Sequence, residues 1–332
     1  MQHPDFPDLP LLGEEHGEPP AIDWDEARRT GKTPFPVRAL QIETTSICNF
    51  RCQSCPLSLK SYDRPEKHLT LESFERVLDA FPTVEKVELQ GIGEVFLNPC
   101  AMEIVHAAKR RGLAVHTFSN ASKIEPETAR EIVSSGIDVI NFSMDGADEE
   151  TFRALRKGGT LRRYRECVTH VIEARRAARS ETPGIGMMSV LSKRNYRQAP
   201  AMIEIAEELG MDTLIFTKLN AGANTALEEI QLGDAERAWL AAQPAHEGRV
   251  RIVWATTPWT RDERIQCTWP QFMAYVTVEG DVTPCCNYFD SREIKLGNVF
   301  EKSGPEIWDG EAYRAFRRRL WSGDLPSKCK IC

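Results

Sequence analysis

The 332-residue sequence has no run of about eighteen apolar residues, so it offers no segment long enough to cross a bilayer as a helix. Its first residues, Met-Gln-His-Pro-Asp-Phe-Pro, lack the basic-then-apolar pattern of a secretory leader. Positive charge is not in surplus: 42 Lys and Arg stand against 49 Asp and Glu, a net charge of −7, which argues against a nucleic-acid partner. These absences predict a cytoplasmic protein that binds neither membrane nor nucleic acid. An obvious peptide-recognition domain is also missing: residues 1–36 are Pro-rich and acidic, with little periodicity apart from a helical turn at Asp23–Arg29, and read as an N-terminal arm too short for one. Hydrophobic residues at 41% and charged residues at 27% still make an ordinary globular composition with enough material for a sizeable core.

Cysteine, by contrast, is abundant. Ten cysteines in a cytosolic chain point to metal ligation rather than to disulfides. Eight of them cluster, as Cys48, Cys52 and Cys55, as Cys267, Cys285 and Cys286, and as Cys329 and Cys332, with only Cys100 and Cys167 apart. That distribution predicts two metal centres. The first group has the spacing C-x3-C-x2-C on a short loop after the run Ile42-Glu43-Thr44-Thr45. Three thiolates can hold three irons of a [4Fe–4S] cluster and leave the fourth open to a small molecule. A zinc site would need a fourth ligand nearby, and none is evident.

From Val37 to about residue 220 the pattern alternates strand and helix in six βα-like units, which predicts a parallel sheet. Eight such units would close a barrel and six leave a partial (β/α)6 barrel, an α/β fold. Catalytic groups collect at the C-terminal ends of such strands. There the sequence places Gln90-Gly91-Ile92-Gly93-Glu94, Ser119-Asn120, and Ser143-Met144-Asp145-Gly146 followed by Arg156-Lys157-Gly158. Taken alone, the first is a βα turn and Arg156 a solvated helix-end arginine. Arginine is, however, suited to a carboxylate, which its planar fork meets bidentately. Residues 221–266 read as a connector, with one helix over Leu227–Leu240 and a short strand over Val250–Ala255. Trp254, Trp259 and Trp269 read as packing residues rather than a substrate platform.

The second cysteine block runs from Cys267-Thr268-Trp269-Pro270 through Gly280 to Cys285-Cys286, then Leu296-Gly297-Asn298, and closes with Cys329-Lys330-Ile331-Cys332. Ala274–Val278 and Glu279-Gly280-Asp281 read as a hairpin with Cys267 and Cys285 at its two ends. The C-x2-C clip returns after a helix over Ala312–Leu320. Four thiols in two pairs can bind zinc or a [4Fe–4S] cluster, and spacing does not separate the two.

The cysteine loop and the strand-end motifs together resemble the radical S-adenosylmethionine (SAM) superfamily, and residues 267–332 resemble its SPASM/Twitch extension. The resemblance implies a partial barrel with a small α+β iron–sulfur domain. Cys48, Cys52 and Cys55 would hold the SAM-binding cluster, and Cys267, Cys285, Cys329 and Cys332 one auxiliary [4Fe–4S] cluster. Gly93 and Glu94 would meet the SAM amino group, with one glycine displaced from the family's Gly-Gly-Glu. Ser119 and Asn120 stand where the family often has Thr-Asn-Gly, Ser143 would meet the ribose, and Arg156 the SAM carboxylate. Ser54 replaces the aromatic that many members carry before the third cysteine.

The implied chemistry is reductive cleavage of SAM to a 5′-deoxyadenosyl radical that takes hydrogen from an unactivated C–H bond, with flavodoxin or ferredoxin as external reductant. The size and layout resemble enzymes that oxidise or epimerise aminoglycosides and aminocyclitols in antibiotic biosynthesis. The expected substrate is therefore a polar small molecule, an amino sugar or aminocyclitol, whose secondary alcohol becomes a ketone. Cys286 is the candidate catalytic hydrogen donor if the outcome is epimerisation; otherwise it is a small buried hydrophobe beside a ligand. Peptide maturation and a non-enzymatic iron–sulfur scaffold or redox sensor are the alternatives. The scaffold leaves Glu94, Ser143 and Arg156 at successive strand ends unexplained.

Overall fold

The computed structural model describes residues 22–59, 62–220, 225–257 and 260–332. Trp259, most of the expected N-terminal arm and part of the connector lie outside them. The strands are β1 (Ala39–Ile42), β2 (Lys86–Leu89), β3 (Ala114–Ser119), β4 (Val139–Ser143), β5 (Gly184–Leu191), β6 (Thr213–Lys218), β7 (Arg251–Ala255), β8 (Met273–Val276), β9 (Asp281–Thr283) and β10 (Gly297–Asn298). They form one sheet in the order β10-β9-β8-β1-β2-β3-β4-β5-β6-β7. β1 to β7 run parallel in sequence, with helices in the crossovers, as a partial TIM-like barrel requires.

Local chemistry sets the helix ends. Thr70 caps Leu71–Ala80 by accepting from the Ser73 N–H at 3.1 Å, Pro126 opens Pro126–Ser134, and Asp23 caps Trp24–Thr30. The expected single helix over 227–240 is two, Thr225–Glu228 and Asp234–Ala241. Gly233 starts the second, its N–H held by Glu236 at 2.7 Å.

Two features depart from six units and an appendage. Arg251–Ala255, inside the stretch read as connector, is a seventh parallel strand paired with β6. The hairpin β8–β9 is also not detached, since β8 pairs in parallel with β1, Gln41 opposite Tyr275. One apolar core, running from Leu40 and Val87 to Tyr288, Trp308 and Trp321, serves both regions.

Strand alternation gives the sheet two unlike faces. Leu40, Ile42, Val87, Leu89, Val115, Ile140 and Phe142 point into that core. The opposite face carries a polar row in register, Tyr275–Gln41–Glu88–His116, with Asn141 and Ser143 further along. Closed barrels fill this position with packed apolar layers.

Candidate active site

Beyond β1 the chain passes through Glu43-Thr44-Thr45-Ser46 into the loop of Cys48, Cys52 and Cys55. The loop entrance is tied to a returning segment. The Ser46 N–H donates to the Lys67 carbonyl (3.0 Å), and the Lys67 N–H donates back to Ser46 Oγ (2.8 Å). Its far side is tied to the end of the helix Glu149–Leu155 that follows β4, where the Arg51 N–H donates to the Lys157 carbonyl (2.7 Å) and the Gln53 N–H to that of Leu155 (2.9 Å). Gly158, at φ +108°, and Gly159 permit this approach, since a Cβ on either would meet Asn49 or Phe50. Burial pushes the Cys48 thiol up to about 11 and Cys55 to about 12, and raises Cys52. Cys52 adds to the rise at both of its neighbours, which marks the three as one group.

The strand-end motifs converge on this loop. Glu94 is buried, accepting from Ser119 Oγ and from the Asn120 N–H, each at 2.7 Å. Asn120 in turn lies against the cluster loop, its Nδ2 3.0 Å from Asn49 Oδ1 and 3.8 Å from Cys48 Sγ. A Cβ on Gly93 would fall on the carbonyl oxygens of Thr45 and Ile47, and one on Gly91 in the Glu43 side chain. Each glycine therefore has its own steric reason. Burial raises the Glu94 pKa despite its donors and the Arg156 charge.

Arg156 is held 2.8 Å from Asp145 Oδ2 through Nε, which is not aligned for a hydrogen bond. Burial opposes its charge, but Asp145 and then Cys52 outweigh burial and leave its pKa raised. It spans the space between the Asp145 carboxylate and the cysteine loop. Ser143, half-buried, ends β4 two residues before Asp145.

Cys267, Cys285 and the Cys329–Cys332 clip come together from three places in the sequence. Burial raises the Cys267 and Cys285 thiols, and the other thiols of this group, Cys286 among them, push each further. Cys329 is pushed up to about 11 by burial and then by Cys332. Cys286, expected to be buried if not catalytic, is instead exposed. Among the described residues no three His, Cys, Asp or Glu groups converge as ligands of a single ion. In an iron–sulfur cluster each thiolate binds its own iron, so no such convergence is needed.

Sequence reasoning missed what joins the two thiol groups. Glu43, just past β1, is fully buried and pairs with Arg64, Nη2 to Oε2 at 2.6 Å and Nη1 to Oε1 at 3.2 Å. Arg64 also reaches Glu279 Oε2 (2.9 Å) and the Phe289 carbonyl (3.1 Å), and the Val278 N–H donates to Glu43 Oε2 (3.1 Å). One buried ion pair thus fastens the β8–β9 turn beside the first cysteine loop. The signal available was a carboxylate ending an apolar strand.

Residues 42–206 match the radical SAM superfamily, and residues 267–332 match SPASM, an iron–sulfur cluster-binding domain. The chain carries a radical SAM domain followed by a SPASM domain. It is 27% identical over 306 residues to the tungsten-containing aldehyde ferredoxin oxidoreductase cofactor-modifying protein of Pyrococcus furiosus, covering 85% of this chain and 83% of that one. It is 25% identical over 303 residues to the PqqA peptide cyclase of Streptomyces rochei, covering 88% and 80%. Streptococcus suis SuiB, solved with its precursor peptide SuiA, superposes with a TM-score of 0.69 at 16% identity over 88% of this chain and 69% of that one, a likeness of fold. The radical SAM and SPASM domains take SAM and two iron–sulfur clusters. The residues present fit that demand, with two gathered thiol groups and, beside the first, a buried carboxylate and an arginine.

Proposed function

We propose that the chain is a radical SAM dehydrogenase acting on a secondary alcohol of a polar small molecule, an amino sugar or aminocyclitol. Cys48, Cys52 and Cys55 hold the SAM-binding cluster; Cys267, Cys285, Cys329 and Cys332 hold the auxiliary one. When bound, SAM and its cluster supply a 5′-deoxyadenosyl radical, which leaves as 5′-deoxyadenosine after taking hydrogen from the carbinol carbon. The auxiliary cluster would supply a one-electron acceptor, so that with the hydroxyl proton also lost the product would be a ketone.

Around SAM, Glu94 receives the ammonium and Gly93 lets the turn close on Thr45 and Ile47. Ser119 and Asn120 orient Glu94, Ser143 faces the ribose, and Arg156 turns from Asp145 to the carboxylate. The observation that carries the reading is the gathering of four thiols in the auxiliary group, which would leave no iron open to substrate and suits electron transfer. The polar row on the inner sheet face supports a polar substrate.

A second reading is hydrogen return by Cys286, favoured by that thiol's exposure. Peptide substrates form the other class, since the relatives include a PqqA peptide cyclase. The test incubates reduced enzyme with candidate amino sugars and aminocyclitols in deuterated water. One SAM consumed per ketone, with Cys286→Ala retaining most activity, is expected. Solvent deuterium at an inverted carbon, with Cys286→Ala blocking product while 5′-deoxyadenosine still forms, would establish the epimerase instead.

A further inference from the structure

The auxiliary thiols differ in what surrounds their sulfur atoms. Asn287, immediately after Cys286, places Nδ2 3.3 Å from Cys332 Sγ. Its Oδ1 accepts from Asn220 Nδ2, also at 3.3 Å, and Asn220 lies two residues past the end of β6. The Asn287 main chain is fixed as well, because its carbonyl accepts from Lys328 Nζ at 2.9 Å and Lys328 is anchored to Glu293 at 2.6 Å. From the same rim of β6, Lys218 Nζ approaches the main-chain oxygen of Cys332 at 3.4 Å.

An amide can turn either end toward a neighbour, so the orientation needs a reason. A coordinating thiolate only accepts, and turning Oδ1 toward it would set two acceptors against each other. With Oδ1 occupied by Asn220, the Asn287 N–H faces the sulfur. A hydrogen bond to a ligating sulfur draws off charge and favours the reduced cluster, which carries one more negative charge. The amide does this with no net charge of its own.

We propose that Asn287, oriented by Asn220, raises the reduction potential of the auxiliary cluster by donating a hydrogen bond to the Cys332 sulfur. This rests on the reading that Cys332 is a cluster ligand. The arrangement runs from the barrel rim through one amide to the thiolate, so the rim of β6 sets how readily the cluster accepts an electron. Asn287 and Asn220 are positioning residues, and their effect is on potential rather than on cluster assembly.

The experiment is an EPR-monitored redox titration of protein in which Cys48, Cys52 and Cys55 are all Ala, so that only the auxiliary cluster titrates. Dithionite supplies the single electron through mediators. We expect the midpoint to fall with Asn220→Ala, further with Asn287→Ala, and furthest with Asn287→Asp, whose carboxylate opposes the thiolate, all at unchanged iron content. An unchanged or higher midpoint in Asn287→Ala overturns the proposal. If the Asn287 variants lose iron, Asn220→Ala decides alone, because it removes the orienting donor without touching the ligand loop, and an unmoved midpoint there overturns the proposal too. Cys332→Ala is run in parallel. An iron content and spectrum identical to the parent would refute Cys332 as a ligand, whereas altered spectra with an unmoved Asn287→Ala midpoint would refute the tuning alone.

Discussion

The two thiol groups are built in opposite ways. The first lies within eight residues of one loop, and its geometry is finished by main-chain hydrogen bonds to segments that the barrel presents at its rim. The second is collected from a span of 66 residues, and the seating of β8 on β1 brings its hairpin to the barrel. A local site needs little more than a loop of the right length. A gathered one must also meet the entropy of closing long loops, so it depends on fastenings such as Glu43–Arg64.

Breaking the local site is the most drastic test of that contrast. Cys48, Cys52 and Cys55 all changed to Ala should remove about four irons per chain and all SAM cleavage while the auxiliary cluster persists. Iron analysis and assay of 5′-deoxyadenosine check this, and residual cleavage would refute the assignment.

The gathered site should be more vulnerable to its fastening. Arg64→Met strands Glu43 as a buried unpaired charge, and we predict a loss of about 3–5 kcal/mol in stability. The double variant with Glu43→Gln should recover most of it, and denaturant titration of the single and double variants tests the coupling. Additive losses would show that the pair does not act as a unit.

A smaller effect sharpens the local side. Gly93→Ala must displace the Thr45–Ile47 backbone, and overpacking of this kind costs about 1–3 kcal/mol. We expect weaker SAM binding by about one to two powers of ten at most, read by equilibrium titration, with the auxiliary cluster's spectrum unaltered.

The smallest effect at neutral pH concerns the inner polar row. Burial, and then the charge of Lys86, lower the His116 pKa to about 4 from an ordinary 6.5. The folded state therefore favours neutral His116. Its contribution is complete above pH 6.5 and is lost as pH falls from there toward 4, by about 3 kcal/mol at most. His116→Gln should flatten the stability profile across that window and leave it unchanged at pH 8.

Legibility in the sequence divides along the same line. Thr70, Pro126 and the amphipathic helices announce themselves within a few residues, and the three-cysteine loop carries its spacing locally. The helix Glu149–Leu155 ends at Arg156, as a helix-end arginine would have it, but its start is hidden because an acidic first turn reads equally as loop. Arg251–Ala255 reads as a short strand, but its place beside β6 depends on a contact its own residues do not encode. Glu43 looks like a strand-ending carboxylate until Arg64, Val278 and Glu279 arrive from elsewhere. Asn287 is visible only through Cys332, 45 residues away.

The parallel seat of β8 on β1 also bears on how the protein is made. Ribosomal synthesis delivers Ala39–Ile42 more than two hundred residues ahead of Met273–Val276. Throughout that interval one edge of β1 has no partner strand, although β2 can already cover the other. An open edge of apolar residues invites pairing with other chains, so the interval is a period of exposure in the cell. It ends only when the last fifth of the polypeptide emerges, and this ties completion of the barrel to arrival of the segment that carries the second set of thiols.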